Sequence, residues 1–182
     1  ASYRQVRESA SQKVQALQSK GLGVGSRVAV ISANRPEVLS NIAAMQLTGC
    51  IGTPLHPLGS LDDHAYVLQA AEIDTLIYDA SVFEDLAGAL KQRVPALKNL
   101  LGFGPTKVGD DYLALAATFK PQPLVAPDIT PDDIGSVNFT GGTTGKPKGV
   151  MSTYSVTAYM TQIQLAEWEF PDDLRMLIAT PL

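Results

Sequence analysis

From Thr140 to Val150 the chain reads Thr140-Gly141-Gly142-Thr143-Thr144-Gly145-Lys146-Pro147-Lys148-Gly149-Val150, directly after the strand-like run Ile134-Gly135-Ser136-Val137-Asn138-Phe139. These residue types at this density are suited to holding phosphate. Glycines let backbone N–H groups turn towards an anion without a Cβ in the way. Threonine hydroxyls add neutral donors, and lysines supply the charge that backbone dipoles lack. Two common phosphate motifs do not fit. A Walker loop needs glycine where Thr140 stands and a magnesium-holding hydroxyl where Pro147 stands. The only near match to a dinucleotide fingerprint, Gly21-Leu22-Gly23-Val24-Gly25-Ser26, lacks the last glycine and precedes a strand instead of following one, so it reads as a turn.

The elements that must position this loop alternate between helical and strand patterns, which predicts an α/β fold: helices layered on a mostly parallel sheet. Ser9 to Gln18 reads as a helix with Val6, Ala10, Val14 and Leu17 on one side, closed by Gly21. Arg27 to Ser32 is a buried strand, and Pro36 opens a helix that Gly49 ends. Cys50 to Leu55 returns as a strand. Ser60-Leu61-Asp62-Asp63 has capping-box spacing before a helix with Ala65, Leu68 and Ala71 inward, and Ser81-Val82-Phe83-Glu84 repeats that spacing. Thr75 to Tyr78 and Asn99 to Phe103 are further strands. Prolines interrupt the stretch from Gly104 to Asp133, leaving Tyr112 to Phe119 as its helical piece. Thr130-Pro131-Asp132-Asp133 forms a turn before the strand that carries the loop. After the loop Met151 continues extended, then Ser155 to Glu167 is a helix with Val156, Tyr159, Met160, Ile163 and Ala166 packed inward. Arg175 to Thr180 closes as a strand.

Composition narrows the function classes. With 182 residues, 45% hydrophobic and 18% charged, the chain can bury one sizeable core. A net charge of −4 argues against a general nucleic-acid binder. The single cysteine, Cys50, allows no internal disulfide and has no neighbouring base, so it reads as a small buried side chain in a reducing compartment. His56 and His64 lack the partners of a zinc site, and no metal ligand is assigned. No apolar run reaches the length of a transmembrane helix and the first residues have no basic-then-apolar signal pattern, which makes the cytoplasm the expected location.

The run from Phe139 to Val150 resembles the phosphate-binding signature of the adenylate-forming (AMP-binding) enzymes: acyl- and aryl-CoA synthetases, firefly luciferase and nonribosomal-peptide adenylation domains. The usual form is T-S-G-T-T-G-x-P-K-G-V. Thr140, Gly142, Thr143, Thr144, Gly145, Pro147, Lys148, Gly149 and Val150 match, Lys146 takes the variable place, and Gly141 replaces the serine. Three further segments resemble the family in order and spacing: Ser2 to Val6, Gly25 to Val30 followed by Asn34 to Glu37, and Gly49 to Pro57. Ala179-Thr180-Pro181-Leu182 resembles the start of the family's P-L-x-H motif. By this resemblance the chain is expected to be the N-terminal portion of the large domain, continuing in both directions, with the small C-terminal domain and its lysine outside it. Residues 1–103 then form an α/β subdomain, 104–133 a Pro-rich connection, and 134–182 the phosphate-loop strand, helix and following strand.

What the resemblance implies is a two-step reaction. A carboxylate attacks the α-phosphorus of ATP to give an acyl-adenylate and pyrophosphate; a thiol, that of coenzyme A or a carrier-protein pantetheine, then takes the acyl group. Lys148 would be catalytic, neutralising charge that develops on pyrophosphate. Thr140, Gly141, Gly142, Thr143, Thr144 and Gly145 would hold the nucleotide, with Lys146 as a secondary, solvent-facing charge. The implied reactants are ATP with Mg2+, coenzyme A and a carboxylic acid; Leu55-His56-Pro57-Leu58 departs from the nonribosomal-peptide pattern, which favours a fatty acid. Tyr154 stands where a histidine is frequent. The alternatives are an aryl- or amino-acid-adenylating enzyme, and a non-catalytic nucleotide-binding or interaction module; a Walker-type ATPase is disfavoured by Pro147.

Overall fold

Most helices of this fold begin where a side chain satisfies open backbone groups, and the second instead starts at a proline and ends at a glycine. The computed structural model describes residues 1–141 and 146–171. Helix α1 (Tyr3–Ser19) starts earlier than its apolar spacing predicts, because Ser2 and Gln5 form a reciprocal capping box. Strand β1 (Arg27–Ile31) leads to α2 (Pro36–Thr48), which has proline in its first turn. Gly49 terminates α2 at φ 77°, where a Cβ would lie 2.8 Å from Val24 Cγ2. Strand β2 (Ile51–Pro54), α3 (Leu61–Ala70), β3 (Thr75–Tyr78), α4 (Ala80–Arg93) and β4 (Asn99–Gly102) complete the alternation. A two-residue strand β5 (Asp110–Asp111) and α5 (Tyr112–Ala117) follow. The segment before the loop is therefore more than a connection, since β5 lies on the sheet edge beside β4 and α5 packs on α1.

The capping box of α3 forms as its spacing predicts: Ser60 N donates to the Asp63 carboxylate and Asp63 N donates to Ser60 Oγ. The one expected at Ser81 does not. Asp79 caps α4 instead, accepting from Ser81 N and Ser81 Oγ, while Glu84 turns outward to accept from Thr106 Oγ1 and Lys107 N. Phe83 has non-helical backbone angles, so the first turn of α4 is already offset from the register that a Ser81–Glu84 pair requires.

Strand β6 (Ile134–Phe139), β7 (Gly149–Thr153) and α6 (Tyr154–Glu167) end the described chain. Among the described residues the sheet has seven strands in the order β5-β4-β3-β1-β2-β6-β7, parallel throughout except for the antiparallel pair β6 and β7. Central strands are covered on both faces, which explains the unbroken apolar run of β3. On one face Ala29, Ile31, Leu76 and Tyr78 pack with Leu68, Leu90 and Leu97 from the α3 and α4 side. On the other, Val28, Ile77 and Leu101 pack with Leu17, Val38, Ala44 and Tyr112. The alternation of Val28 with Ala29 and of Ile77 with Leu76 is the period of two expected of a strand.

The apolar stripe of α6 does not pack inward as its spacing suggests. Val156 and Met160 are each 50% exposed and Tyr159 is 64% exposed, and no residue of the helix is buried. Its principal neighbour among the described elements is β7 at the sheet edge, so periodicity here marks an apolar face without a partner in this part of the fold. The expected strand Arg175 to Thr180 and the motif Ala179 to Leu182 lie outside the described residues.

Candidate nucleotide-binding site

Because β6 runs parallel to β2, its carboxyl end lies at the same edge as those of β1, β3 and β4, the edge where open α/β sheets present ligand sites. The glycine-rich loop starts there and returns along β7. Its neck is closed by Thr140 and Lys148: Thr140 N donates to Lys148 O at 3.0 Å, and Lys148 N lies 3.4 Å from Thr140 Oγ1. The next residue must be small, since a Cβ on Gly149 would stand 2.9 Å from Val137 Cγ1 and 3.2 Å from Phe139 Cζ. The hairpin thus brings Thr140, Gly141, Lys146 and Lys148 together, all exposed. Neither lysine joins a salt bridge among the described residues. Gly142, Thr143, Thr144 and Gly145 lie outside the described residues.

Sequence reasoning missed Tyr66, on α3. Its hydroxyl donates to Pro147 O at 3.1 Å, its ring meets Phe139 edge-on at 6.4 Å, and Lys146 Nζ lies 5.5 Å from its centroid. No local pattern could have revealed a partner 81 residues away. A second unforeseen cluster ties the ends of β1, β3 and β4. Arg35 donates to the buried Asp79 carboxylate at 2.7 Å and to Phe103 O, while its Nε pairs with Glu37. The hydrogen bond from Arg35 holds the Glu37 carboxyl below its ordinary range, against the opposing effect of burial.

The remaining candidates have structural surroundings. Cys50 is 1% exposed and burial pushes its thiol up to about 12, which leaves little thiolate at neutral pH. His64 is buried and depressed by desolvation; its Nε2 has no partner among the described residues. His56 is exposed and accepts from Leu58 N through Nδ1. The near-fingerprint at Gly21 to Ser26 is a turn, with Ser26 N bonded to Gly23 O. Tyr154 reaches back to the sheet, its hydroxyl 3.5 Å from Cys50 O. An apolar hollow of about 250 Å3, lined by Val30, Val38, Ile42, Met45 and Thr53 among others, includes none of the loop residues.

A mostly parallel sheet with a glycine-rich, lysine-bearing hairpin at its carboxyl edge is the arrangement of a nucleotide-binding α/β domain. The chain belongs to the AMP-binding enzyme family, whose model matches residues 1–182. It is 49% identical to the medium/long-chain-fatty-acid–CoA ligase FadD8 of Mycobacterium tuberculosis, over 98% of this chain and 32% of that protein. It superposes on ATP-bound MatB from Rhodopseudomonas palustris with a TM-score of 0.82 at 27% identity, covering 98% of this chain and 35% of that one. An anthranilate CoA ligase, AuaEII, solved with anthranoyl-AMP, shares the fold with a TM-score of 0.81 at 24% identity, over 90% and 32% of the two chains. The chain spans about a third of the length of these relatives.

Proposed function

We propose that this chain supplies the phosphate-loop part of an ATP-dependent carboxylate-activating enzyme, a fatty-acid–CoA ligase. The observation that carries the reading is the hairpin at the carboxyl edge, which presents Lys148 beside Thr140, with no carboxylate paired to it among the described residues. The fatty-acid choice draws on the identity to a medium/long-chain-fatty-acid–CoA ligase along nearly the whole chain.

In the first step a carboxylate oxygen bonds to the α-phosphorus of ATP, and the bond from that phosphorus to the bridging oxygen breaks. Pyrophosphate leaves with the electron pair. In the second step the thiol sulfur of coenzyme A bonds to the acyl carbon, AMP leaves, and the thiol proton is released. The first step needs charge control more than proton transfer, because negative charge moves onto pyrophosphate. Lys148 meets that charge. Thr140, Thr143 and Thr144 offer hydroxyls to the β- and γ-phosphates, and Gly141, Gly142 and Gly145 let the backbone approach. Lys146 adds a secondary charge at the loop base. Mg2+ would be held chiefly by the phosphate oxygens of the nucleotide, its preferred hard ligands, and would offset their charge. Among the described residues no group of three or more His, Cys, Asp or Glu side chains gathers, and none is assigned to the ion.

A cytoplasmic setting goes with this reading. Among the described residues no helix is long and apolar enough to cross a membrane. The test is carboxylate-dependent ATP–pyrophosphate exchange by the full-length protein containing this chain, across medium- and long-chain fatty acids, aryl acids and amino acids. Exchange promoted by fatty acids, with coenzyme A thioester formed on adding the thiol, is expected. Exchange promoted best by amino acids would overturn the substrate choice, and none with any acid would overturn the activity.

A further inference from the structure

We propose that Tyr66 is the positioning residue of the phosphate loop, holding both legs of the loop to α3, and that Lys146 acts chiefly as the cation docked on its ring. The proposal rests on the reading of this loop as the ATP-phosphate site. Three contacts converge on one side chain. Phe139, the last residue before the loop, meets the Tyr66 ring edge at 6.4 Å; Lys146 Nζ stands 5.5 Å from the ring centroid; and Pro147 O accepts from the hydroxyl at 3.1 Å. The first contact lies on the outgoing leg and the other two on the returning leg. Thr140 and Lys148 tie the legs to each other and β6 joins them to the sheet through β2, but the strands end where the loop begins, and a contact from a helix is what steadies the loop's base beyond them. Tyr66 supplies it.

Simple packing does not account for this arrangement. The ring is half-buried against the core that α3 covers, a place phenylalanine would fill equally well. The hydroxyl leaves that core to reach a backbone carbonyl of the loop. α3 is itself set firmly, with its first turn capped by Ser60 and Asp63 and with His64, Ala65, Val67 and Leu68 buried on either side of Tyr66. A loop that must meet phosphate in one geometry gains from such a fixed base, because the ordering is done before the nucleotide arrives.

Two readouts in the full-length protein test this. The first is the rate of tryptic cleavage after Lys148 by peptide mass spectrometry; the bond after Lys146 is silent because proline follows. The second is KM for ATP against KM for the carboxylate in pyrophosphate exchange. Tyr66→Phe, which keeps the ring, is expected to raise KM for ATP roughly three-fold, the worth of one neutral hydrogen bond, with the carboxylate KM unmoved. Tyr66→Leu, which removes the cation and edge contacts too, is expected to raise it roughly ten-fold and to speed cleavage after Lys148. Lys146→Gln should weaken ATP use in the wild-type background and have no further effect beside Tyr66→Leu. If cleavage and KM for ATP are unchanged in both Tyr66 variants, or if both KM values rise together, the positioning role is wrong. Were the wild type to show no carboxylate-dependent exchange, the functional reading would fail by itself, and the cleavage rates would still decide whether Tyr66 docks the loop.

Discussion

Lys148 occupies the point where the returning leg of the loop becomes strand. Its N–H and C=O both face Thr140, so its backbone is held while its side chain stays exposed. A fixed backbone with a free ammonium suits a group that meets charge only as the reaction proceeds. Lys148→Ala in the full-length protein should therefore slow pyrophosphate exchange by roughly 100-fold while leaving KM for the carboxylate within about two-fold; an unaltered exchange rate would remove Lys148 from the chemistry. Gly141 makes the opposite kind of prediction. A Cβ built there meets nothing within 4 Å among the described residues, so the serine that the family motif usually carries displaces none of them. Gly141→Ser should lower KM for ATP by about two- to five-fold, the value of one added hydroxyl donor, without moving the melting temperature. A higher KM would show that backbone freedom at this position matters more than the missing hydroxyl. Thr140, Gly141 and Lys148 stand out as candidates from the order of residue types alone, because a phosphate loop is a local sequence. Tyr66 could not, because its partner carbonyl is distant in the chain and carries no side-chain signature.

Elements with strong local signals were legible in the sequence: Thr75–Tyr78 and Ile134–Phe139 form the strands their runs predict, and Pro36 and Gly49 bound α2 as expected. Where long-range partners decide, pattern reading went astray. Ser81 and Glu84 have capping-box spacing, but Asp79 is already held by Arg35 and stands closer to the first turn of α4. The stripe on α6 has the helical period of a core face, yet period reports that a face is apolar and not what covers it. Gly49 offers the sharpest test at this scale. It must adopt φ 77° to end α2 and hand the chain to β2, and a Cβ would meet Val24 Cγ2 at 2.8 Å and Val24 Cα at 3.0 Å. The second contact is with backbone and cannot be relieved by a rotamer change. Gly49→Ala should destabilise the 182-residue chain by roughly 2 kcal/mol or more, combining left-handed strain with steric overlap, seen as a lower urea midpoint at unchanged m-value. A midpoint equal to wild type would mean that Val24 and its turn yield freely.

At the scale of the whole molecule, a buried cation joins α1 to α2. Lys13 is 1% exposed, its Nζ donating to Glu37 O at 3.0 Å and to Ser40 Oγ, with the Phe103 ring 5.6 Å away and Tyr112 donating to its backbone carbonyl. Burial lowers its pKa to about 8; the negative charge of Glu37 opposes the shift and the positive charge of Arg35 adds to it. Free lysine titrates near 10.5. Between those two values the unfolded chain holds a proton that the folded chain has lost, so stability rises with pH across this window. Below about 8 both states are charged and the full cost of burying the ammonium is felt, at most about 3 kcal/mol. Cys50 works in the opposite sense. Its folded pKa of about 12 exceeds the ordinary 9.0, so the unfolded chain releases the thiol proton first and stability falls as pH climbs above 9. Lys13 is therefore best isolated between pH 8 and 9, where its contribution rises before the thiol intervenes. Lys13→Met retains the side-chain volume and leaves Ser40 Oγ still bonded to Glu37 O. Urea midpoints of the wild-type chain should increase from pH 8 to 9, whereas those of Lys13→Met should be flat there and at least equal to wild type at pH 7. Parallel profiles for the two proteins would show that this ammonium remains charged and adequately solvated beneath α1.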